Sequence, residues 1–461
     1  MITCSYILIG LIAWGALSFG AVYPWGYWPL AIGCAGIGAW TIVVTRAWRE
    51  PRPRRIAWAL GAVALAIAVQ IVPLPYRWFQ QISPAADAVL AQLQIGWVLQ
   101  PPDWHPLSIA PAGTVTALLL FLALGILIVG LMRGVSYMPL DWIVTQLTVF
   151  GLAMALLGII QRVISGPGDV PVYGFWRAHG YATPFGPFIN RNHFAGWMVL
   201  VLPMALSAAS AKAQAARGPF RQNWSHWLRW LATPDASRFV FTAIAILVMT
   251  VALVLTGSRS GLASIIAAVA VLGYFAARQT RGRLKRVLPA LYLLLFVIAA
   301  VGWVGFDRTV ARFDNADLEL EERATAWKDT LSIARDFPIV GAGFGGYGLA
   351  MLVYQTAERH SIYVQAHNEY LQILAEGGVL GALPVVVAIL LVGATIRYRF
   401  RGDDPPATFW IRAGATAGLV GIATQSLLDF SLQMPGNAMM CAVLIAIALH
   451  RPASTHHAHR V

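Results

Sequence analysis

Residues 113–132 read GTVTALLLFLALGILIVGLM, a run of 20 residues without one charged side chain. An α-helix of about 20 apolar residues is long enough to cross the hydrocarbon core of a bilayer. Backbone N–H and C=O groups inside lipid must bond within their own segment, and a helix allows this. The run therefore predicts a membrane-spanning helix.

Similar apolar windows recur along the whole chain. Hydrophobic residues make up 58% of the sequence and charged residues only 11%, against about 25% charged in a typical soluble domain. We predict an all-α, polytopic membrane helix bundle of about twelve transmembrane helices with a large helical periplasmic loop. The windows are residues 2–22, 27–45, 56–75, 113–132, 141–161, 193–211, 239–256, 260–277, 287–305, 379–396, 411–430 and 434–450.

The basic residues are unevenly distributed between the loops on the two sides of the predicted spans. The net charge is +13, and 22 of the 33 Lys and Arg residues fall in alternate loops, on the side that also holds both termini. Such an excess is typical of cytoplasmic loops, so we predict no nucleic-acid partner. The first window lacks a preceding basic segment, which favours a retained span over a cleaved signal.

The same topology predicts three parts. Residues 1–305 hold the first nine spans, residues 306–378 form the large outer loop, and residues 379–461 hold the last three spans and a cytoplasmic tail. Two further outer loops, residues 76–113 and 165–192, connect spans of the first part. We expect polar chemistry in the outer loops, because the spans themselves carry few ionisable side chains.

Two amphipathic helices are predicted outside the membrane. The first covers residues 82–99 and is expected to lie in the interface plane. The second lies in the large loop, stops before Pro338, and shows apolar residues at spacings of three and four. Its expected inner face comprises Leu320, Ala324, Trp327, Leu331 and Ala334.

A glycine run follows the second helix. Gly341, Gly343 and Gly346 formally match a dinucleotide-binding fingerprint, but no strand precedes them and no strand–helix unit surrounds them. We therefore interpret the run as a turn that packs against the membrane bundle.

No metal site is predicted. The three cysteines, Cys4, Cys34 and Cys441, all fall in apolar windows and cannot form a regular metal or disulfide framework. The acidic segment at residues 314–319 is more typical of a solvated turn.

Two short motifs at span junctions could bind an anion. Gly257-Ser258-Arg259-Ser260-Gly261 joins two spans, and its glycines and helix start suit a phosphate; the alternative is an arginine that snorkels to lipid headgroups. Asn190-Arg191-Asn192-His193 opens another span on the same side. Its asparagines could simply cap that helix, and we take His193 as structural.

Two further motifs lie in the large loop. Arg323 could join the anion site or pair with Glu319. His367 precedes a short helix, and a histidine near its ordinary pKa of about 6.5 can accept a proton from an attacking hydroxyl. Glu369 stands two residues on, so it need not face His367. Together, arginines and a histidine on one side suit transfer from a diphosphate-linked donor without a divalent metal.

At these residues the chain resembles the O-antigen ligase and O-antigen polymerase superfamily of bacterial polysaccharide assembly. The order of the motifs and the large outer loop before the histidine match that family, most closely over about residues 185–435. The segments that carry the resemblance are Gly257–Gly261, Asn190–Ala195, the helix with Arg323 and Trp327, Gly341–Gly343, His367–Leu371 and Glu376–Gly378.

The resemblance implies an inner-membrane glycosyltransferase with its active site in the periplasm. The implied donor is an undecaprenyl-diphosphate-linked saccharide, and neither metal nor cofactor is implied. His367, Arg259 and Glu369 are then the predicted catalytic residues. The predicted substrate-binding residues are Arg191, Arg259, Arg323, Asn192 and Asn368.

Several functions stay open at this point. Ligases and polymerases share these motifs, and twelve spans with one dominant loop lean towards a ligase. The acceptor could be lipid A core, another repeat unit or a protein side chain. A lipid-linked saccharide transporter would need cations at mid-membrane, and a scaffold subunit would use the motifs only for packing.

Overall fold

A computed structural model describes residues 1–46, 51–165, 171–177, 183–215, 233–279, 316–356, 362–402 and 404–451. Within these ranges the protein is nearly all α-helical, as predicted. Two three-residue strands, β1 (Pro73–Pro75) and β2 (Trp104–Pro106), pair antiparallel beside the helices. The predicted span at 287–305 and the first two residues of the acidic segment, Asp314 and Asn315, lie outside the described residues.

In chain order, the described helices are α1 (Ile2–Leu17), α2 (Pro24–Thr45), α3 (Pro51–Val69), α4 (Tyr76–Ile82), α5 (Pro84–Leu93), α6 (Ile95–Leu99), α7 (Pro111–Gly134), α8 (Leu140–Ser165), α9 (Arg191–Ala215), α10 (Pro234–Leu255), α11 (Arg259–Gln279), α12 (Ala316–Asp336), α13 (Tyr347–Tyr354), α14 (Glu369–Arg399), α15 (Pro406–Gln425) and α16 (Pro435–Leu449).

Seven of the described helices are long and apolar enough to cross a membrane: α2, α7, α8, α9, α10, α11 and α14. The apolar helices α1 and α16 are shorter. Each predicted window other than 287–305 overlaps a described helix. The total of twelve spans and the sidedness of the loops stay predictions.

Helix α9 forms the centre of the bundle. Residues 197–202 are fully buried, because α8, α10, α11, α15 and α16 surround this helix. Glycines on α15 permit the closest approach: a Cβ added to Gly418 would lie 3.0 Å from the carbonyl oxygen of Leu200. Small residues at such contacts are how helices pack tightly in membranes. The packing brings the start of α9 beside the loop that follows α15.

The outer segments form a second, smaller core. Phe79, Leu90 and Trp97 from the first outer loop share it with Phe337 and Met351 from the large loop. The single interfacial helix predicted for residues 82–99 is therefore wrong: the chain breaks at Gln94 into α5 and α6. The break lets Trp97 turn inward, where its indole N–H donates to Asp87 at 2.8 Å.

Helix α12 exists as predicted, but a different face is buried. Leu331 is 48% exposed, whereas Ala326, Thr330 and Ile333 are fully buried. Polar anchors set this rotation, because the Thr330 hydroxyl lies 2.8 Å from the hydroxyl of Tyr347. The spacing of apolar residues alone could not predict that hydrogen bond. The side of α12 that faces α13 therefore carries a hydrogen-bonding group.

Candidate functional site

The backbone around His367 is held in an uncommon conformation. His367 has φ +50°, a region that non-glycine residues occupy only when the surroundings enforce it. On one side of it, the Trp327 indole N–H donates to the Ala366 carbonyl at 3.0 Å, and the Ala366 N–H donates to Gln372 at 3.0 Å. On the other side, Asn368 accepts from the N–H groups of Tyr370 and Leu371 and so begins α14. These bonds fix the backbone on both sides of His367.

The imidazole of His367 packs edge-on against Phe430, with the ring centroids 4.9 Å apart. Its Nδ1 is buried and bonds to none of the described residues. Burial first, and then the charge of Arg323, lower the pKa of His367 to about 4. At neutral pH the ring is therefore in its uncharged form.

One loop, residues 426–433, connects all the predicted motifs; we call it the 426–433 loop. Its backbone carbonyls accept hydrogen bonds from side chains of residues 306–378. The Leu428 carbonyl accepts from the Arg323 guanidinium at 3.0 Å, and the Leu427 carbonyl accepts from the Asn368 amide at 3.1 Å. Phe430 lies between two histidines, 4.7 Å from the ring of His193 and 4.9 Å from that of His367.

Asp429 is the buried acidic residue of this loop. It is fully buried, and its carboxylate accepts from the Phe430 N–H at 2.8 Å and from the Ser260 hydroxyl at 3.4 Å. The Asn192 side chain bonds to it as well, and the charge of Arg323 acts on it. A buried carboxylate thus joins the starts of α9 and α11 to the loop that holds His367.

Both junction arginines occupy the first position of a helix. Ser258 opens α11, accepting from the Gly261 N–H at 3.2 Å, and Asn190 opens α9, accepting from the Asn192 N–H at 2.8 Å. Arg259 is exposed and Arg191 half-buried. A guanidinium at a helix start adds charge to N–H groups that already favour an anion.

His193 has the structural surroundings expected of it. Its ring is buried against Phe430, and its backbone carbonyl accepts from the Asn437 amide at 2.9 Å. The capping expected in this motif is also present, at Asn190.

Glu369 does not bond to His367. Its carboxylate accepts from the Leu432 N–H at 2.9 Å, and the Glu369 N–H donates to the Ser426 carbonyl at 2.9 Å. It holds both ends of the 426–433 loop. We therefore keep its catalytic assignment only as a prediction.

The glycine run packs on the bundle as predicted. The Gly343 N–H donates to the Glu376 carbonyl at 3.0 Å, and the Glu376 carboxylate accepts from the Tyr347 N–H at 3.1 Å. Gly341 has φ +74°, and a Cβ there would overlap the Glu376 backbone. Gln70 was not predicted from the sequence. Its side chain donates to the Glu376 carbonyl and accepts from the Phe344 N–H.

Among the described residues, no group of three His, Cys, Asp or Glu side chains could hold a metal ion. The positive charge at the site comes instead from arginines. The residues that sequence reasoning missed are those of the 426–433 loop. One signal was present: Asp429 is an acid at the end of an apolar window, and ionisable residues there often mark functional sites.

Residues 244–386 match the family model described as O-Antigen ligase. The matched segment contains Arg259, Arg323, His367 and Glu369, while Arg191 and the 426–433 loop lie outside it. The predicted resemblance to the O-antigen ligase superfamily is thus confirmed over this segment, and it supports a membrane glycosyltransferase of ligase or polymerase type. No curated protein matches the chain.

Proposed function

We propose that this protein, whose residues 244–386 match the family model described as O-Antigen ligase, moves a glycan from an undecaprenyl-diphosphate donor to a periplasmic acceptor. The bacterial inner membrane is its proposed location, with the site facing the periplasm. One observation carries the proposal: a neutral histidine is held beside Arg323 by a loop that also binds the starts of α9 and α11.

The proposed reaction is a single displacement. The acceptor O–H gives its proton to neutral His367 while its oxygen forms a bond to the anomeric carbon. The bond from that carbon to the diphosphate oxygen breaks, and undecaprenyl diphosphate leaves with the electron pair. One displacement inverts the anomeric centre, and His367 returns its proton to the departing diphosphate or to water. A positioned base of this kind contributes roughly 10² to 10⁴ in rate.

Cations stabilise the leaving group in this proposal. Arg259 and Arg191 stand at helix starts, and Arg323 stands on the side of His367. Guanidinium groups bind phosphate oxygens with two parallel hydrogen bonds. Their positive charge stabilises the leaving group more strongly as negative charge develops on it. This arrangement needs no divalent metal.

The transporter alternative is less well supported. Arg191 and Arg259 stand at the ends of candidate spans rather than at their middle, whereas transporters commonly bind their cargo near the bilayer midplane. A polymerase would use the same site with another lipid-linked repeat unit as acceptor. We favour a ligase whose acceptor is lipid A core, another glycan or a protein.

The test is reconstitution in nanodiscs with an undecaprenyl-diphosphate oligosaccharide and each acceptor class in turn. We expect a glycosylated acceptor and one undecaprenyl diphosphate for each product formed, in the presence of a chelator. The proposal fails if the donor crosses the bilayer intact in vesicles and no acceptor is modified.

A further inference from the structure

Two adjoining cavities meet at the end of α14 that lies away from His367. The larger, of about 1240 Å³, runs along α14 between this helix and α3, α7, α11 and α15. The smaller, of about 650 Å³, opens where α11 and α14 end. Phe275, Arg278, Phe400 and Arg401 line both cavities. This end of the bundle has no part in the proposed reaction.

Apolar side chains form most of the wall of the larger cavity. Ile56, Leu60 and Val63 come from α3, and Val392 and Ile396 come from α14. In the described part of the chain, α14 packs closely against α3 and far less closely against α11 and α15. The cavity therefore lies in the gap between α14 and these two helices.

The length of the apolar wall near the arginines matches one leaflet of a bilayer. Helix α14 lines the larger cavity over residues 369–373 and again over residues 385–397. From Val385 to Ile396 the helix rises about 17 Å, at about 1.5 Å per residue. One leaflet of the hydrocarbon core is about 15 Å thick, half of the roughly 30 Å of the whole core. The acyl chains of a phospholipid therefore fit beside this second stretch.

Three arginines surround the place where the two cavities meet. Arg278 lies in the last turn of α11, and Arg397 and Arg401 lie at the end of α14. All three side chains are exposed, and in the described part of the chain none of them forms a salt bridge with an acid. The Arg278 guanidinium donates to the uncharged hydroxyl of Tyr274 at 3.3 Å. Three positive charges around one opening favour a bound anion.

The acid nearest to these arginines already has a partner. Among the described residues that line the smaller cavity, Asp404 is the only acid. It forms a salt bridge with the buried Arg412, which also donates to the His450 carbonyl at 3.0 Å. Because Arg412 balances the charge of Asp404, the positive charge of the three arginines remains for a ligand.

The combination of charge and cavity is more specific than charge alone. Basic residues are common at the cytoplasmic ends of spans, and by themselves they would not define a site. Here they stand at the mouth of an apolar cavity, and basic pockets between membrane helices bind the headgroups of anionic lipids. The diphosphate of the proposed donor lies elsewhere, since about 40 Å of helix separates Glu369 from Arg397.

We propose that the two cavities together bind a phospholipid with an anionic headgroup. Its phosphate lies among Arg278, Arg397 and Arg401, and its acyl chains lie in the larger cavity along α3 and α14. The bound lipid fills the gap between α14 and α11 and so stabilises the folded protein. This site is separate from the proposed reaction and does not depend on it.

The test measures thermal unfolding of the full chain after lipid is removed in an uncharged detergent. We expect phosphatidylglycerol to raise the Tm as its concentration rises, whereas phosphatidylcholine and inorganic phosphate at the same concentrations leave the Tm unchanged. An equal rise with phosphatidylcholine would show that the arginines do not select the headgroup and would overturn the proposal. So would an equal rise with inorganic phosphate alone, or displacement of bound phosphatidylglycerol by uncharged undecaprenol.

Arginine variants test the headgroup position. Arg278→Gln and Arg401→Gln should each weaken phosphatidylglycerol binding about fivefold, the contribution of one basic side chain beside an anionic lipid. Both side chains are exposed, so the variants should fold. Arg46→Gln, at an exposed arginine that follows α2 and lines neither cavity, is the matched control and should bind as wild type does.

A glycine variant tests the position of the acyl chains. Gly393 lines the larger cavity, and a Cβ added there would meet no atom within 4 Å. Leucine at this position therefore occupies the cavity without a clash in α14, and Gly393→Leu should lower phosphatidylglycerol binding. Gly36→Leu, at a glycine of α2 with equally open surroundings outside both cavities, is the matched control. Wild-type binding by Gly393→Leu, or by both arginine variants, would defeat the assignment.

Discussion

Replacing Asp429 with asparagine perturbs the residue that joins three parts of the site. The carboxylate accepts from the Phe430 N–H, the Ser260 hydroxyl and the Asn192 side chain. An amide has one acceptor oxygen instead of two and no charge, so one or two of these bonds are lost. Hydrogen bonds to a charged group contribute about 1.5–3 kcal/mol each. We expect a loss of about 2–4 kcal/mol, shared between folding and the alignment of the site.

The expected effect on activity follows from the same energy. About 1.4 kcal/mol of lost alignment lowers the rate tenfold, so transfer per folded Asp429→Asn molecule should fall about ten- to a hundredfold. Thermal unfolding and transfer are measured on the same nanodisc preparation. Asp141→Asn, at an exposed acid in the first turn of α8, is the matched control. Wild-type transfer and stability in Asp429→Asn would refute the reasoning.

Three further predictions follow from individual groups. Because the pKa of His367 is about 4 and its neutral form is the base, kcat/KM should stay level as pH falls from 7 to about 5. A decline centred near the ordinary value of about 6.5 would show an unburied ring. Arg259→Lys should stay impaired, since an ammonium cannot make two parallel bonds to phosphate, and full activity in Arg259→Ala would exclude a role in donor binding. Reporter fusions should place Arg401 in the cytoplasm and Asp317 in the periplasm; a reversed signal at either would overturn the topology.

The sequence predicted the helices and motifs because both are local features. Apolar length locates α7 and α9, and a glycine or an asparagine before an arginine locates the helix starts. Such patterns depend on residues within one or two turns of each other. They needed no knowledge of how the helices pack.

The links between motifs could not be read in this way. Arg323 bonds to a carbonyl 105 residues away, at Leu428, and backbone carbonyls carry no sequence signal. The prediction of the buried face of α12 was wrong for the same reason, since Thr330 turns inward and bonds to Tyr347. Gln70 reaches the glycine run across 274 residues. Long-range polar bonds decided each of these features.

Transfer by His367→Ala, measured per folded molecule in nanodiscs, tests the central claim most directly. Binding of the undecaprenyl-diphosphate donor is measured separately on the same sample. His105→Ala, at a histidine packed against Phe79 and Trp97, is the matched control and should retain transfer. The account predicts that His367→Ala loses roughly 10² to 10⁴ in rate while it binds donor normally. Near-normal turnover by the folded variant would contradict it.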